Sequence, residues 1–430
     1  MISSVIGLGK LGLPFALFLA SKNQKVICFD SNKKILNEIS KLKSPYIEPN
    51  IVNYLKKYNK NIHISEDLGH LIKKSQISHL VLPTPSLKNN SFSNAYIFKC
   101  LKDIASILLK KKNRKHIINI TSTVMPGSCN IFAKFLESKG LNKDKDFLIT
   151  YNPHFIAQGT TIQNLEYPDF VLIGSDNENG KKLISYYNKI YKKKIKLSYL
   201  NTVEAEIAKI SVNSYITTKI TFSNFISEIC QNTKNVDGNK VLKTIGGDHR
   251  IGNEYLGIGT KYSGPCFPRD NKALNYFIKG KSKYSLPNYI DKINNQQTHR
   301  LIKMIEKIQK LKKSIKIGIF GLTYKDNTSI VKDSQSYDLI INLRKKYSKK
   351  INVYDRNVKP STDFLTKHKL LYNENMNLFV KYSDLLILMY PNKEIVKEVI
   401  KSKNKVIIDC WNLIDPKKTD SKIIKLGSYY

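Results

Sequence analysis

The chain has 430 residues, more than one hydrophobic core normally serves, so two or three domains are expected. Its longest early apolar stretch, Leu11 to Ala20, is too short to span a bilayer and lacks the basic flank and cleavage site of a secretory signal, which points to a cytoplasmic protein without a membrane partner. The formal charge of +38 is spread over runs such as Lys110-Lys111-Lys112, Lys192-Lys193-Lys194, Lys312-Lys313 and Lys345-Lys346 instead of gathering in one patch. This argues against nucleic acid as a partner and suits a surface that draws in diphosphates.

Ser4-Val5-Ile6 forms a short strand running into Gly7-Leu8-Gly9-Lys10-Leu11-Gly12, then an apolar helix and a second strand, Lys25 to Phe29: a βαβ unit. Buried-type strands recur at His79 to Leu82, His116 to Ile120, Phe147 to Thr150 and Phe170 to Ile173. From about Asn201 strand signals vanish, and Ile207, Ile210, Ile216, Ile220, Phe225, Ile226 and Ile229 fall at helical spacing, which predicts one long helix from Glu204 to Gln231. A lysine-rich helix from Arg300 to Lys313 leads into a second alternating pattern, with strands at Ile315 to Phe320, Ile351 to Tyr354, Leu385 to Met389 and Lys405 to Asp409. The expected fold is α/β: two Rossmann-like, doubly wound parallel-sheet domains, 1–200 and 301–430, joined by a helical middle domain, 201–300.

Gly7, Gly9 and Gly12 fit the dinucleotide fingerprint, after a strand and opening a helix, with Leu11 in its last turn. Asp30 ends the second strand, 18 residues beyond Gly12, where a carboxylate can bond ribose hydroxyls and repel the extra phosphate of NADP. NAD is the expected cofactor. Six cysteines, at 28, 100, 129, 230, 266 and 410, show no CxxC and no nearby histidine, so reduced thiols and no metal site are expected. Most single cysteines are inert core residues. Cys266 differs, because Ser263-Gly264-Pro265-Cys266-Phe267-Pro268-Arg269-Asp270 is a stiff loop with ionisable neighbours, a setting for a nucleophile.

With Pro83-Thr84-Pro85, Ser122-Thr123-Val124 before Pro126-Gly127, Asn152-Pro153-His154-Phe155-Ile156-Ala157-Gln158-Gly159, Ala208-Lys209 with Asn213, Arg250-Ile251-Gly252-Asn253 and Gly321-Leu322-Thr323-Tyr324-Lys325, the chain closely resembles the UDP-glucose/GDP-mannose dehydrogenase family over nearly its whole length. The resemblance implies a four-electron, NAD-dependent oxidation of the C6 alcohol of a nucleotide sugar through a thiohemiacetal and a thioester on Cys266. Lys209 and Asn213, four apart on a helix, share a face and can both meet the oxygen on C6. Asp270, with a water held by Thr123, is the implied proton acceptor. Pro83, Thr84 and Thr123 are implied at the cofactor, and Phe155, Ile156, Tyr255, Leu256 and Lys325 at the substrate. Arg250 matches an arginine that reaches the substrate from a neighbouring subunit, which implies a homodimer.

The chain departs from the family pattern at several points. His154 and Gln158 stand where the family has glutamates, so either His154 serves as base in thioester hydrolysis or Asp270 carries that step alone. Lys261 and Ser263 replace glycines, and Lys261 could meet a phosphate. Trp411 replaces an arginine, and Lys332-Asp333 an Arg-Glu pair. UDP-glucose leads as substrate because the run from Arg250 to Leu256 looks most like that branch, with GDP-mannose or another UDP-sugar as the alternative. The competing readings are a two-electron 3-hydroxy acid dehydrogenase, which needs neither the cysteine nor a second α/β domain, and a nucleotide-binding relative impaired in catalysis.

Overall fold

A computed structural model describes residues 2–111, 115–157, 159–192, 195–311 and 315–429; Lys112, Gln158, Lys193, Lys194, Lys312 and Lys313 lie outside the described residues. The chain forms two compact units, Met1–Ser211 and Val212–Tyr430.

The first unit is built on an eight-stranded sheet of β1 (Ser3–Ile6), β2 (Val26–Phe29), β3 (Ile62–Ile64), β4 (Ile77–Leu80), β5 (His116–Ile120), β6 (Phe147–Tyr151), β7 (Val171–Gly174) and β8 (Leu197–Leu200), in the order β3-β2-β1-β4-β5-β6-β7-β8. Neighbours run parallel except β6 and β7, which meet antiparallel at Tyr151 and Gly174. Parallel strands are covered on both faces, and β1, β4, β5, β6 and β7 are buried at every position. Serines are tolerated in β1 because Ser4 Oγ bonds Ser78 Oγ at 2.7 Å and Ser3 Oγ bonds the Tyr186 hydroxyl at 2.8 Å. The first helix, Gly12–Ser21, is buried from Gly12 to Ala20, as an all-round apolar sequence requires.

In the second unit, β9 (Ile317–Phe320), β10 (Ile351–Tyr354), β11 (Leu370–Tyr372), β12 (Leu385–Leu388), β13 (Val406–Asp409) and β14 (Lys422–Lys425) form a wholly parallel sheet in the order β11-β10-β9-β12-β13-β14. The two sheets repeat one device. After β2, Asp30 accepts from Leu8 N at 2.7 Å; after β10, Asp355 accepts from Leu322 N at 2.6 Å and Thr323 N at 3.0 Å. Asp30 is half-buried, whereas Asp355 is fully enclosed.

The expected strands form, with ends shifted by up to two residues, and β3, β8, β11 and β14 are additional. The helix expected from Arg300 is the second half of a longer one, Leu286–Leu311, which opens with Pro287 in its first turn, where a missing N–H costs nothing. The long helix spans Thr202–Gln231. Its orientation is unexpected beyond residue 212: Thr217, Thr221, Ser223, Asn224 and Ser227 are buried, while Tyr215, Phe222, Phe225 and Ile229 are exposed. The buried side is held by polar bonds, including Asn224 Nδ2 to Thr260 O at 3.1 Å and Arg300 Nη2 to Ser227 Oγ at 3.0 Å.

Candidate active site

The first sheet changes direction between β1 and β4, and ligands of such sheets bind outside the carboxyl ends of the strands at that point. Gly7 leaves β1 at φ +95°, and a Cβ added there would lie 2.4 Å from Val81 O. One added at Gly12 would lie 1.8 Å from Gly7 O, so the turn closes only with glycine at both positions. Gly9 is the reverse case, with nothing within 4 Å of the same point. It faces open space beside the start of the first helix, whose N-cap, Leu11, makes no side-chain cap bond. Backbone N–H groups there can take a pyrophosphate, and the Asp30 carboxylate can take a ribose hydroxyl. This donor and acceptor set fits a dinucleotide. Across the switch point, Pro83 and Thr84 follow β4, and Thr84 Oγ1 donates to Thr123 O at 2.8 Å. A second tie, Leu82 N to Ser122 Oγ at 2.8 Å, fixes the loop that presents Thr123.

At the end of β6 the chain turns through His154, Phe155 and Ile156. The Lys209 ammonium, on a residue only 7% exposed, donates to His154 O at 2.8 Å and lies 4.3 Å from the Phe155 ring centroid. The His154 ring packs on Phe15 at 4.4 Å between centroids, and its Nε2 is buried with no hydrogen-bond partner among the described residues. Burial, with Lys209 adding to it, lowers its pKa to about 3. Ile156 packs against the apolar core. Sequence reasoning passed over Glu206, one turn before Lys209, whose buried carboxylate accepts from Gly127 N and from Cys129 N at 2.8 Å. It anchors the helix that follows Thr123 to the helix that carries Lys209. No local pattern sets it apart, since Glu204 and Lys209 lie within three residues of it.

In the second unit Cys266 occupies the N-cap of the helix Phe267–Phe277 and is exposed, whereas the other five cysteines are buried. Asp270 N bonds Cys266 O at 2.9 Å, and the Asp270 carboxylate, on a residue 3% exposed, accepts from Asn213 Nδ2 at 2.6 Å. Asn213 and Cys266 are thereby joined through Asp270. Tyr255, at φ +60°, sets its ring edge-on to Phe267, and Leu256 is buried. Lys325 follows the Gly321 turn, half-buried, with its ammonium 5.7 Å from the Tyr324 ring. Arg250 stands apart, exposed and paired with Asp248 at 2.6 Å. Lys261 is engaged by Asp338 at 2.6 Å, which occupies the charge that the sequence suggested for a phosphate. Among the described residues no group of three or more His, Cys, Asp or Glu is placed to hold a metal ion, and no helix is long and apolar enough to cross a membrane.

Comparison with known proteins brings these features under one description. Residues 1–195 match the NAD binding domain of the UDP-glucose/GDP-mannose dehydrogenase family, residues 203–296 its central domain and residues 318–416 its UDP binding domain. A UDP-glucose 6-dehydrogenase of Rickettsia bellii is 26% identical over 97% of this chain and 96% of its own. A GDP-mannose 6-dehydrogenase of Pseudomonas putida is 27% identical over 90% of each. The same fold is found in a UDP-glucose dehydrogenase of the archaeon Pyrobaculum islandicum, with a TM-score of 0.85 at 21% identity over 100% of this chain and 98% of that one. A glycine turn, a carboxylate at the end of the second strand and an exposed cysteine on one chain thus have a common explanation: the protein belongs to the UDP-glucose/GDP-mannose dehydrogenase family of NAD-binding nucleotide-sugar 6-dehydrogenases.

Proposed function

We propose that the protein oxidises the C6 alcohol of UDP-glucose to the carboxylate of UDP-glucuronate. The observation that carries this reading is the exposed Cys266 at a helix start, with Asp270 buried one turn on and bonded to Asn213. NAD, when bound, accepts the hydride in each of the two oxidations. Lys209 and Asn213, one helical turn apart, stabilise negative charge on the C6 oxygen. Cys266 adds through sulfur to the aldehyde carbon, giving a thiohemiacetal whose oxidation leaves a thioester, and the helix start favours the negative charge that develops beside it. Water, oriented by Thr123, then displaces the thiolate and releases the acid. Asp270 takes the protons; the buried His154 ring is too weakly basic for that step, and His154 contributes its backbone carbonyl, which accepts from the Lys209 ammonium.

Tyr255, Leu256, Phe155, Ile156 and Lys325 bind the nucleotide sugar, and Asp30 selects NAD over NADP. The chain works as a homodimer through the apolar side of the long helix, with Arg250 contributed to the partner's substrate, and its working parts are 1–200, 201–300 and 301–430. The test is stoichiometric. Purified protein given UDP-glucose and NAD should form two NADH per acid released, and GDP-mannose should react far more slowly. One NADH per substrate, or none, overturns the reading.

A further inference from the structure

The segment leading to Cys266 is stitched to the C-terminal α/β elements at alternate positions. Gly259 lies against Trp411, where an added Cβ would sit 2.7 Å from the indole. Two residues on, Lys261 Nζ meets Asp338 Oδ2 at 2.6 Å with its side chain only 12% exposed. Two further, Ser263 Oγ bonds Gln335 Oε1, and Gly264 N donates to Asp333 O at 3.3 Å. Gln335 and Asp338 lie on one helix, Gln335–Leu343. A repeat of two is the periodicity with which an extended chain sends side chains to one side.

The pair is prepared from the other side as well. Thr298 Oγ1 donates to the same Asp338 oxygen at 2.9 Å, and although burial opposes it, the Lys261 hydrogen bond and charge draw the Asp338 carboxyl below its ordinary range. Asn294 clasps the intervening residue, accepting from Tyr262 N at 2.8 Å and donating to Tyr262 O at 3.0 Å. A cavity of about 340 Å³, lined in part by Lys261, Lys272, Asp291, Tyr337 and Asp338, opens beside the pair. On that side the ion pair stands in for side-chain packing.

We propose that Lys261 and Asp338 are positioning residues: their ion pair, seconded by Ser263 and Gln335, fixes the loop that sets the Cys266 thiol. Its effect on turnover rests on the function proposed above; its effect on the thiol does not. The test is therefore alkylation by iodoacetamide on the full chain without substrate, alongside steady-state kinetics. The five other cysteines are buried, so the label reports on Cys266, with Cys266→Ser as the blank.

Loss of the tether frees the loop, so Lys261→Met and Asp338→Asn should each be alkylated about tenfold faster than the parent. The charge-swapped Lys261→Asp with Asp338→Lys should return to within about threefold of the parent. Lys346→Met, which removes the exposed Lys346–Glu306 pair, should leave the rate unchanged. In turnover, kcat should fall about tenfold with KM for UDP-glucose nearly constant, a split that general destabilisation does not produce. If Lys261→Met fails to fold, Asp338→Asn and Ser263→Ala read the same tether. Folded Lys261→Met and Asp338→Asn alkylated within about twofold of the parent overturn the proposal. A parent without oxidation but with the expected alkylation pattern overturns the proposed function and leaves the tether standing.

Discussion

Cys266 and Asp270 are joined by a backbone bond at the start of one helix, and Asn213 holds the Asp270 carboxylate. Replacing Cys266 with serine should cut acid production by about a thousandfold or more, because a serine alkoxide forms far less readily than a thiolate and gives a poorer acyl intermediate. Chromatographic assay of the acid checks this, and unimpaired production by the serine variant sinks the thioester route. His79, His116 and His154 make a second prediction. Burial lowers all three from 6.5 to about 3, so the folded first unit keeps them neutral where the unfolded chain takes up protons. Their contribution is complete above pH ~6.5 and is lost as pH falls toward 3, at up to about 1.4 kcal/mol per pH unit for each histidine. Thermal unfolding midpoints should drop between pH 7 and pH 5, and less steeply in His116→Gln; a flat profile in the parent contradicts the neutral histidines. Cys266 was legible as a candidate because its stiff loop and ionisable neighbours set it apart, whereas Lys209, Asn213 and Asp270 became candidates through the family resemblance. Glu206, Gln335 and Asp338 were not legible, because their partners lie 72 to 79 residues away in the chain and no local pattern announces them.

At the scale of elements, the glycine turn after β1 has the narrowest tolerance. Gly12→Ala would force a methyl group against Gly7 O, which must displace the turn. A loss of about 3 kcal/mol in stability and a markedly weaker affinity for NAD are expected, read by chemical denaturation and by NAD titration; unchanged affinity would separate the turn from cofactor binding. The central strands of both sheets were readable because two covered faces favour apolar-rich runs, although β1, β4 and β5 also carry buried serines, histidines and an asparagine. The edges were not. β14 reads Lys-Ile-Ile-Lys and β11 has three residues, too little signal to stand out from the surrounding loops. In the long helix, spacing put Phe225, Ile226 and Ile229 in one apolar series, yet Ile226 packs on the second core while Phe225 and Ile229 face outward and threonines, serines and an asparagine face inward. Periodicity tells which residues share a side, and the hydrogen bonds offered by Thr260 and Arg300 decide which side is covered.

For the molecule as a whole, the homodimer proposed above would use that outward apolar side, where Phe222, Phe225 and Ile229 lie exposed along one stretch of helix. Phe225→Asp combined with Ile229→Asp should convert the protein from two chains to one in light scattering while the circular dichroism stays that of the parent. A parent that is already a single chain at micromolar concentration defeats the dimer. The paired aspartates have a consequence of a different kind. Both sheets descend to the same glycine turn and the same carboxylate, but Asp355 is sealed in and consumed by the backbone of Leu322 and Thr323, whereas Asp30 keeps an open flank. On the reading proposed above, an engineer wishing to change which dinucleotide the protein accepts would start at Asp30. The twin carboxylate in the second sheet serves as a keystone, and altering it would bring down masonry without changing the lock.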